Sequence, residues 1–331
     1  MSEALLEVKQ LKKYFPIRSQ LLKREVGAVK AVDGVTFSLN TGETIGIVGE
    51  SGCGKSTLGR VLMKVYEPTG GEIYFGGRDI TRLRGAELKE HRKQIQMIFQ
   101  DPYASLNPKM RVRDIVAEPL WVNRMMSKEE AYGQVDSLLT TVGLRPTDAP
   151  KFPHQFSGGQ RQRVGIARAI AMSPRLIVAD EAVSALDVSV QAQILNLMME
   201  LKAANHLSYL FISHNLAVVK HISDKVGVMY LGNMMEIAEK NLLYHDAKHP
   251  YTQALLSAAP VADRTHKSQR VVLKGDVPNP ANPPEGCPFH TRCAQCKNIC
   301  KVEKPAFVKV ADMHYVACHL YGGEQVQGNA S

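Results

Sequence analysis

Nine consecutive residues, Gly49-Glu50-Ser51-Gly52-Cys53-Gly54-Lys55-Ser56-Thr57, constrain this chain more than any other stretch. They fit G-x-x-x-x-G-K-[ST], directly after an apolar run that ends at Val48 and before a helix-like pattern that begins near Ser56. A backbone that wraps an anion with its N–H groups turned inward leaves little room for side chains, so glycine recurs. The following helix adds the positive end of its dipole. Phosphate binding is the expected chemistry, with Gly49, Ser51, Gly52, Cys53, Gly54 and Thr57 forming the cradle. Lys55 would reach the terminal phosphates and Ser56 would ligate Mg2+ beside them, so that loop and metal together offset the triphosphate charge. A glycine-rich turn with an incidental lysine is the bland alternative, and the strand and helix flanks argue against it.

The rest of the composition narrows the class. The chain has 331 residues, enough for one large domain with a smaller one appended. Its apolar runs, such as Arg175-Leu176-Ile177-Val178-Ala179, are strand-sized and fall short of the ~18 to 20 residues of a membrane span. The start, Met1-Ser2-Glu3-Ala4-Leu5, has no basic segment followed by an apolar stretch, so export is not expected and the cytoplasm is. The net charge of +9 suits an anionic partner, nucleic acid or a phospholipid surface, without choosing between them. Solvated surface is the plainer account of its basic clusters.

Residues 5–39 read as short strands around a turn-prone basic insertion between Pro16 and Lys30. Thr44 to Val48 is a buried strand, and Leu58 to Tyr66 continues as a helix ending at Pro68 and a Gly70-Gly71 turn. After the strand Gln96 to Phe99, helical periodicity runs over Val112 to Leu120, Ala131 to Val142 and Gln160 to Ala171, a helical insertion over about 101–171. Leu176 to Ala179 and Tyr209 to Ile212 are apolar runs suited to a parallel sheet, separated by a helix from Val190 to Ala203. The sum is a doubly wound α/β core with an inserted helical lobe. Beyond Ala247 the crowding of Pro278, Pro280, Pro283 and Pro284 suggests a docked, extended arm, which sets a division into 1–246 and 247–331.

Five further features fall in a telling order. Gln100 ends a strand; Phe156-Ser157-Gly158-Gly159-Gln160-Arg161-Gln162-Arg163 opens a helix on a second backbone anion site; Leu176 to Ala179 ends in the carboxylates Asp180 and Glu181. Ser184-Ala185-Leu186-Asp187 follows, and His214 comes after the strand ending at Ser213. Together with the phosphate loop, these strings resemble the ATP-binding subunits of ABC transporters, and within them the ATPase subunits of dipeptide and oligopeptide importers. The resemblance extends over nearly the whole chain. It implies a P-loop NTPase core of RecA-like type with an antiparallel β subdomain, an inserted helical subdomain and a small cysteine-containing extension.

The resemblance also implies roles. Gln100 would contact Mg2+ and the attacking water; Asp180 would hold Mg2+ through water; Glu181 would act on that water as general base or orient it. His214 would donate to the γ-phosphate. The loop of Ser157, Gly158, Gly159 and Gln160 would close over the nucleotide of a partner subunit, and Ser184 to Asp187 would cross the interface. Phe15, or its neighbour Tyr14, would stack on adenine. Two departures stand out: Ala182 where proline is commoner and Asn215 where aspartate is commoner, neither of which removes a group that touches phosphate or metal.

Cys287, Cys293, Cys296, Cys300 and Cys318 lie in a lysine-rich segment of a chain expected in the cytoplasm, where disulfides are rarely kept. The C-x5-C-x6-C-x17-C spacing of Cys287, Cys293, Cys300 and Cys318 resembles the importer tail, for which a [4Fe–4S] cluster is implied, leaving Cys296 spare. Zn2+ is the rival, since Cys296, His290, His314 and His319 widen the ligand choices; unliganded thiols are the third reading.

The function that follows is ATP hydrolysis driving uptake of di- and oligopeptides at the cytoplasmic face of the cell membrane. The implied partners are a second ABC ATPase, expected to be a paralogue, two permease subunits, and an extracytoplasmic peptide-binding protein acting through them. An ABC ATPase working on nucleic acid or the ribosome is the alternative, together with an importer for nickel or another small solute; a regulatory subunit without turnover is disfavoured by the intact carboxylate pair.

Overall fold

The computed structural model describes residues 4–18, 25–258, 273 and 275–322. Lys23 and Arg24 of the basic insertion, and the segment 259–272 at the start of the expected arm, lie outside the described residues, as do Met1 to Glu3. The chain opens with two long strands, β1 (Ala4–Arg18) and β2 (Glu25–Asn40), and then β3 (Thr44–Val48) and α1 (Lys55–Leu62) flank the phosphate loop. β4 (Gly70–Phe75), β5 (Arg78–Asp79) and α2 (Gly85–Gln94) lead to β6 (Ile95–Ile98). Next come α3 (Val112–Val122), α4 (Lys128–Thr141), α5 (Gly158–Ile170), β7 (Leu176–Asp180), α6 (Val188–Asn205), β8 (Ser208–Ile212) and α7 (Leu216–Ile222). They are followed by β9 (Lys225–Tyr230), β10 (Asn233–Glu239), α8 (Lys240–His245), α9 (Pro250–Ala258), β11 (Phe307–Ala311) and β12 (His314–Ala317).

These elements gather into two compact units. The first, chiefly Arg82–Ile212, holds β6, β7 and β8 in parallel register, with Met97 opposite Val178 and Val178 opposite Leu210. All five residues of β7 are buried, as an apolar run in a parallel strand covered on both faces requires. In the same unit α3 packs on α4 and α5, and the Tyr132 hydroxyl of α4 donates to Asp114 of α3 at 2.6 Å. α4 begins with a capping box in which Ser127 and Glu130 each accept the other's amide.

The second unit comprises Leu5–Ser38, Ile45–Thr81 and the chain from Ser213 onward. It contains an antiparallel sheet ordered β2-β1-β4-β5, with Leu6 opposite Phe75 and Val8 opposite Ile73. It also pairs β3 with β9 in parallel, followed by β10, β12 and β11 in antiparallel succession.

Several boundaries differ from the sequence reading, each for a local reason. The helix after the phosphate loop stops at Leu62 rather than Tyr66, because Lys64 turns left-handed at φ 55° and buries its ammonium against the Thr81 carbonyl at 2.5 Å and Glu67 at 2.9 Å. Gly70 and Gly71 are strand, not turn: a Cβ on Gly71 would lie 2.3 Å from the Gln10 carbonyl of β1, so glycine here permits close strand approach. The expected short strands are two long ones, the first of which runs past Pro16, itself beyond Lys12, the last residue of β1 paired with β4. The expected extended arm is only partly that, since the β11–β12 hairpin extends the sheet at β10, with Glu236 opposite Val316.

Candidate active site

β3 is buried along its whole length and delivers Gly49 into the phosphate loop. A Cβ at Gly49, where φ is 156°, would lie 2.2 Å from the Met229 carbonyl; at Gly54, where φ is 104°, it would lie 1.9 Å from the Ala31 carbonyl. Backbone crowds the loop from outside at both positions, so no other residue fits. Lys55 is 4% exposed, and its ammonium donates to the carbonyls of Gly49 at 2.7 Å and Glu50 at 3.0 Å, which holds the charge inside the loop's curve. Ser51 and Gly52 are exposed at the crest, while Ser56 and Thr57 are half-buried in the first turn of α1. The Cys53 thiol is buried; that burial pushes its pKa up against the opposing pull of Lys55, so it serves as packing rather than as a nucleophile.

The structure brings two of the predicted catalytic residues together. Gln100 donates its amide to the Glu181 carboxylate at 2.8 Å. Asp180 is buried at the end of β7, and Glu181 directly after it adopts a left-handed φ of 49°. A non-glycine residue in that region costs ~1 to 2 kcal/mol, a strain of the kind that collects at functional turns. The turn is nonetheless held: the Glu181 amide donates to Ile212, and the Ser184 amide and hydroxyl both donate back to the Glu181 carbonyl at 3.1 and 3.0 Å. Ala182 is buried in this turn, so the absent proline is replaced by packing and hydrogen bonds.

In the same unit the Ser157 hydroxyl accepts the Gln160 amide while the Gln160 side chain accepts the Ser157 amide, a reciprocal cap that opens α5. A Cβ on Gly159 would sit 2.4 Å from the Val190 side chain of α6, and one on Gly158 3.4 Å from Leu186. The glycines therefore seat the loop of Ser157 to Gln160 on the segment that carries Asp187. Asp187 caps α6 by accepting the Val190 amide at 2.9 Å and the Ser189 hydroxyl at 2.8 Å, which holds its carboxyl below the usual range.

His214 is exposed just before α7. Asn215 caps that helix, accepting the amides of Ala217 at 2.9 Å and Val218 at 3.4 Å, so an amide oxygen fills the place of the commoner carboxylate. Of the two aromatic candidates, Tyr14 has its hydroxyl committed to Asp33, itself paired with Lys304 at 2.9 Å. Phe15 is half-buried, meets Tyr66 edge-to-face at 5.3 Å and carries the Lys13 ammonium 5.0 Å from its centroid.

The cysteine segment is folded around tight turns. The Cys287 amide donates to the Cys300 carbonyl at 2.8 Å, and the Lys297 amide approaches the Cys300 sulfur at 3.4 Å. Burial pushes the Cys287 thiol up to about 12, with Cys300, Cys318 and Cys293 adding to the rise; Cys293 and Cys318 are raised in the same way. Among the described residues no three His, Cys, Asp or Glu side chains converge to hold a metal ion. Four sulfur donors are the chemistry a cluster or a soft metal takes, and any such binding has to displace their protons.

Motif reading missed one contact. Arg292 forms a bidentate ion pair with Glu50 of the phosphate loop, at 2.7 and 3.2 Å, and the Tyr251 hydroxyl accepts the Glu50 amide at 3.0 Å. Tyr230, Tyr251, Phe289 and His249 pack their rings around this point, Tyr230 and Tyr251 at 4.8 Å and Phe289 5.2 to 5.7 Å from the other three. The available signal was an acidic residue in an anion-binding loop, a charge in need of a partner.

Known proteins carry the same pattern. The sequence profile described as ABC transporter matches residues 32–184, and that described as oligopeptide/dipeptide transporter, C-terminal region, matches 235–300. The oligopeptide transport ATP-binding protein AppF of Bacillus subtilis is 58% identical, over 96% of this chain and 98% of its own length. The oligopeptide transport ATP-binding protein OppF of Haemophilus influenzae is 48% identical (96% and 97%), and the dipeptide transport ATP-binding protein DppF of Escherichia coli 47% (92% and 91%). Among solved structures, the dimeric post-hydrolysis state of the ATP-binding cassette MJ0796 bound to ADP and Pi superposes with a TM-score of 0.63 at 28% identity, over 71% of this chain and 98% of that one.

Proposed function

This chain belongs to the ABC transporter family, among its oligopeptide and dipeptide transport ATP-binding proteins, and on that premise we propose that it powers the uptake of short peptides by hydrolysing ATP. The observation that carries the reading is the phosphate loop curved around the buried Lys55 ammonium, in a chain of which 96% aligns with an oligopeptide transport ATP-binding protein.

In the proposed reaction the loop amides and Lys55 bind the triphosphate, and Phe15, with Tyr14 otherwise engaged, is the platform for adenine. Ser56, Gln100 and Asp180 would hold Mg2+; hydroxyl, amide and carboxylate oxygens are the donors this hard cation takes, and the ion supplies charge neutralisation on the phosphates. Glu181, held by Gln100, orients a water for in-line attack on the γ-phosphorus and takes its proton as the bond to the ADP oxygen breaks. His214 donates to the γ-phosphate. Ser157, Gly158, Gly159 and Gln160 offer their helix start to the nucleotide of a second ATPase subunit, so that closure of the pair on two ATP molecules precedes each hydrolysis. The second subunit is proposed to be a paralogue, with two permeases and an extracytoplasmic peptide-binding protein completing the importer. Among the described residues no helix is long and apolar enough to cross a membrane. The proposed place of the subunit is peripheral, on the cytoplasmic face, against those permeases.

The residue ranges 1–246 and 247–331 are proposed as cassette and extension. For the extension we favour a [4Fe–4S] cluster on Cys287, Cys293, Cys300 and Cys318, with Zn2+ as the competitor. Anaerobic purification followed by iron, sulfide and zinc analysis decides: four iron per chain supports the cluster, and equimolar zinc without iron overturns it.

Turnover tests the catalytic assignment. Glu181→Gln should keep Mg-ATP affinity within about twofold and lower turnover at least ~100-fold, the scale of a lost general base. Lys55→Ala should weaken nucleotide binding instead. Hydrolysis at the wild-type rate by the Glu181 variant refutes the role, and turnover insensitive to peptide in a reconstituted complex refutes peptide import.

A further inference from the structure

The phosphate loop contains one carboxylate, Glu50, immediately after Gly49. A negative side chain is out of place in a loop that must accept a triphosphate, because like charges brought together in a partly desolvated site repel. Here both Glu50 oxygens are engaged by the Arg292 guanidinium, Nη1 to Oε2 at 2.7 Å and Nη2 to Oε1 at 3.2 Å, with side chains only 26% and 7% exposed. The fork is itself fixed: Nη1 also reaches the Tyr230 hydroxyl at 3.4 Å, and the guanidinium lies 5.9 Å from the Tyr230 ring. The backbone of Glu50 is tied as well, its amide donating to the buried Tyr251 hydroxyl and its carbonyl accepting from Lys55.

Arg292 ends a tight turn, 290–292, whose first amide and His290 ring both meet the Cys287 carbonyl, and Cys293 follows directly. The arginine is thus carried by the cysteine segment and acts on a residue far back in the chain. We propose that Arg292 is a positioning residue of the phosphate loop, drawing the Glu50 carboxylate away from the phosphates, so that the C-terminal extension sets the affinity for Mg-ATP. This rests on the reading that the loop binds nucleotide.

The test is the dissociation constant of Mg2+ with the nonhydrolysable analogue AMP-PNP, measured on the full chain. Wild-type protein that fails to bind the analogue refutes the nucleotide reading itself. Given wild-type binding, Arg292→Gln should raise Kd about tenfold, within the usual range of coupling between sites. Adding Glu50→Gln to that variant should bring Kd back to within about twofold of wild type, since the exposed charge is then gone, and no merely structural damage would be repaired this way. Wild-type affinity in Arg292→Gln overturns the proposal, and so does a double variant that stays as weak as the single one. If Arg292→Gln does not fold, Arg292→Lys decides, because it keeps the charge and loses the fork: an intermediate Kd supports the assignment and an unchanged one overturns it.

Discussion

At position 215 the side-chain oxygen of an asparagine accepts two amides at the start of α7. Asparagine and aspartate cap helices about equally, whereas alanine leaves the amides to water. Asn215→Asp should therefore leave the unfolding free energy within about 0.5 kcal/mol, and Asn215→Ala should lower it by about 1 kcal/mol, both read from urea denaturation. Lys55 was legible because phosphate binding demands fixed residue types at fixed spacing, whereas Asp180 and Glu181 were legible through the order of strings that resembles the ABC ATPases. Their local devices were less so: nothing in the string around Glu181 announces its left-handed backbone, and the Glu50–Arg292 pair joins residues 242 apart, a distance over which no pattern rule reaches. Gly159 lies between these cases, a motif glycine whose reason, the Val190 side chain 2.4 Å from a would-be Cβ, lies in another helix.

Among the elements, β3, β7 and β8 were read from the sequence because each is dominated by an apolar run, whereas β9 and β10, buried just as deeply, were not read. β4 was hidden by Gly70 and Gly71, which mark a turn unless a neighbouring backbone needs the space, and α2 by its lack of an apolar stripe, His91 being its one buried residue. The β11–β12 hairpin was missed for a different reason: it is held less by its own sequence than by a buried anchor. Glu236 of β10, fully buried, accepts the amides of Lys248 at 2.6 Å and His249 at 3.0 Å and meets the His314 ring of β12 at 2.7 Å, itself fully buried. Taking away the His314 ring removes a buried hydrogen bond and leaves a gap between β10 and β12, at a cost of about 2 to 3 kcal/mol. His314→Ala should lower the unfolding free energy by about that much, and a change below about 1 kcal/mol would show that apolar packing alone holds the hairpin.

For the molecule as a whole, the response to acid is set in part by a group no motif contains. His249 lies fully buried beside Phe289, its Nδ1 accepting the Tyr251 amide at 3.0 Å, which requires that nitrogen to be unprotonated. Burial pushes its pKa from 6.5 down to about 4, the Glu236 carboxylate opposing only in part. Between those values the unfolded chain takes up a proton that the folded chain refuses, so stability falls as pH falls through this window and changes no further below it. A drop of two to three pH units in a fully buried group corresponds to about 3 kcal/mol. Carboxylates that titrate in the same range blur the raw profile, so the contribution has to be read as a difference. His249→Asn keeps an oxygen to accept the Tyr251 amide and removes the titration. Its unfolding free energy, measured in urea, should fall about 3 kcal/mol less than that of the wild type between pH 7 and 4, whereas parallel profiles would mean that the imidazole is protonated in the fold and that its amide acceptor is lost.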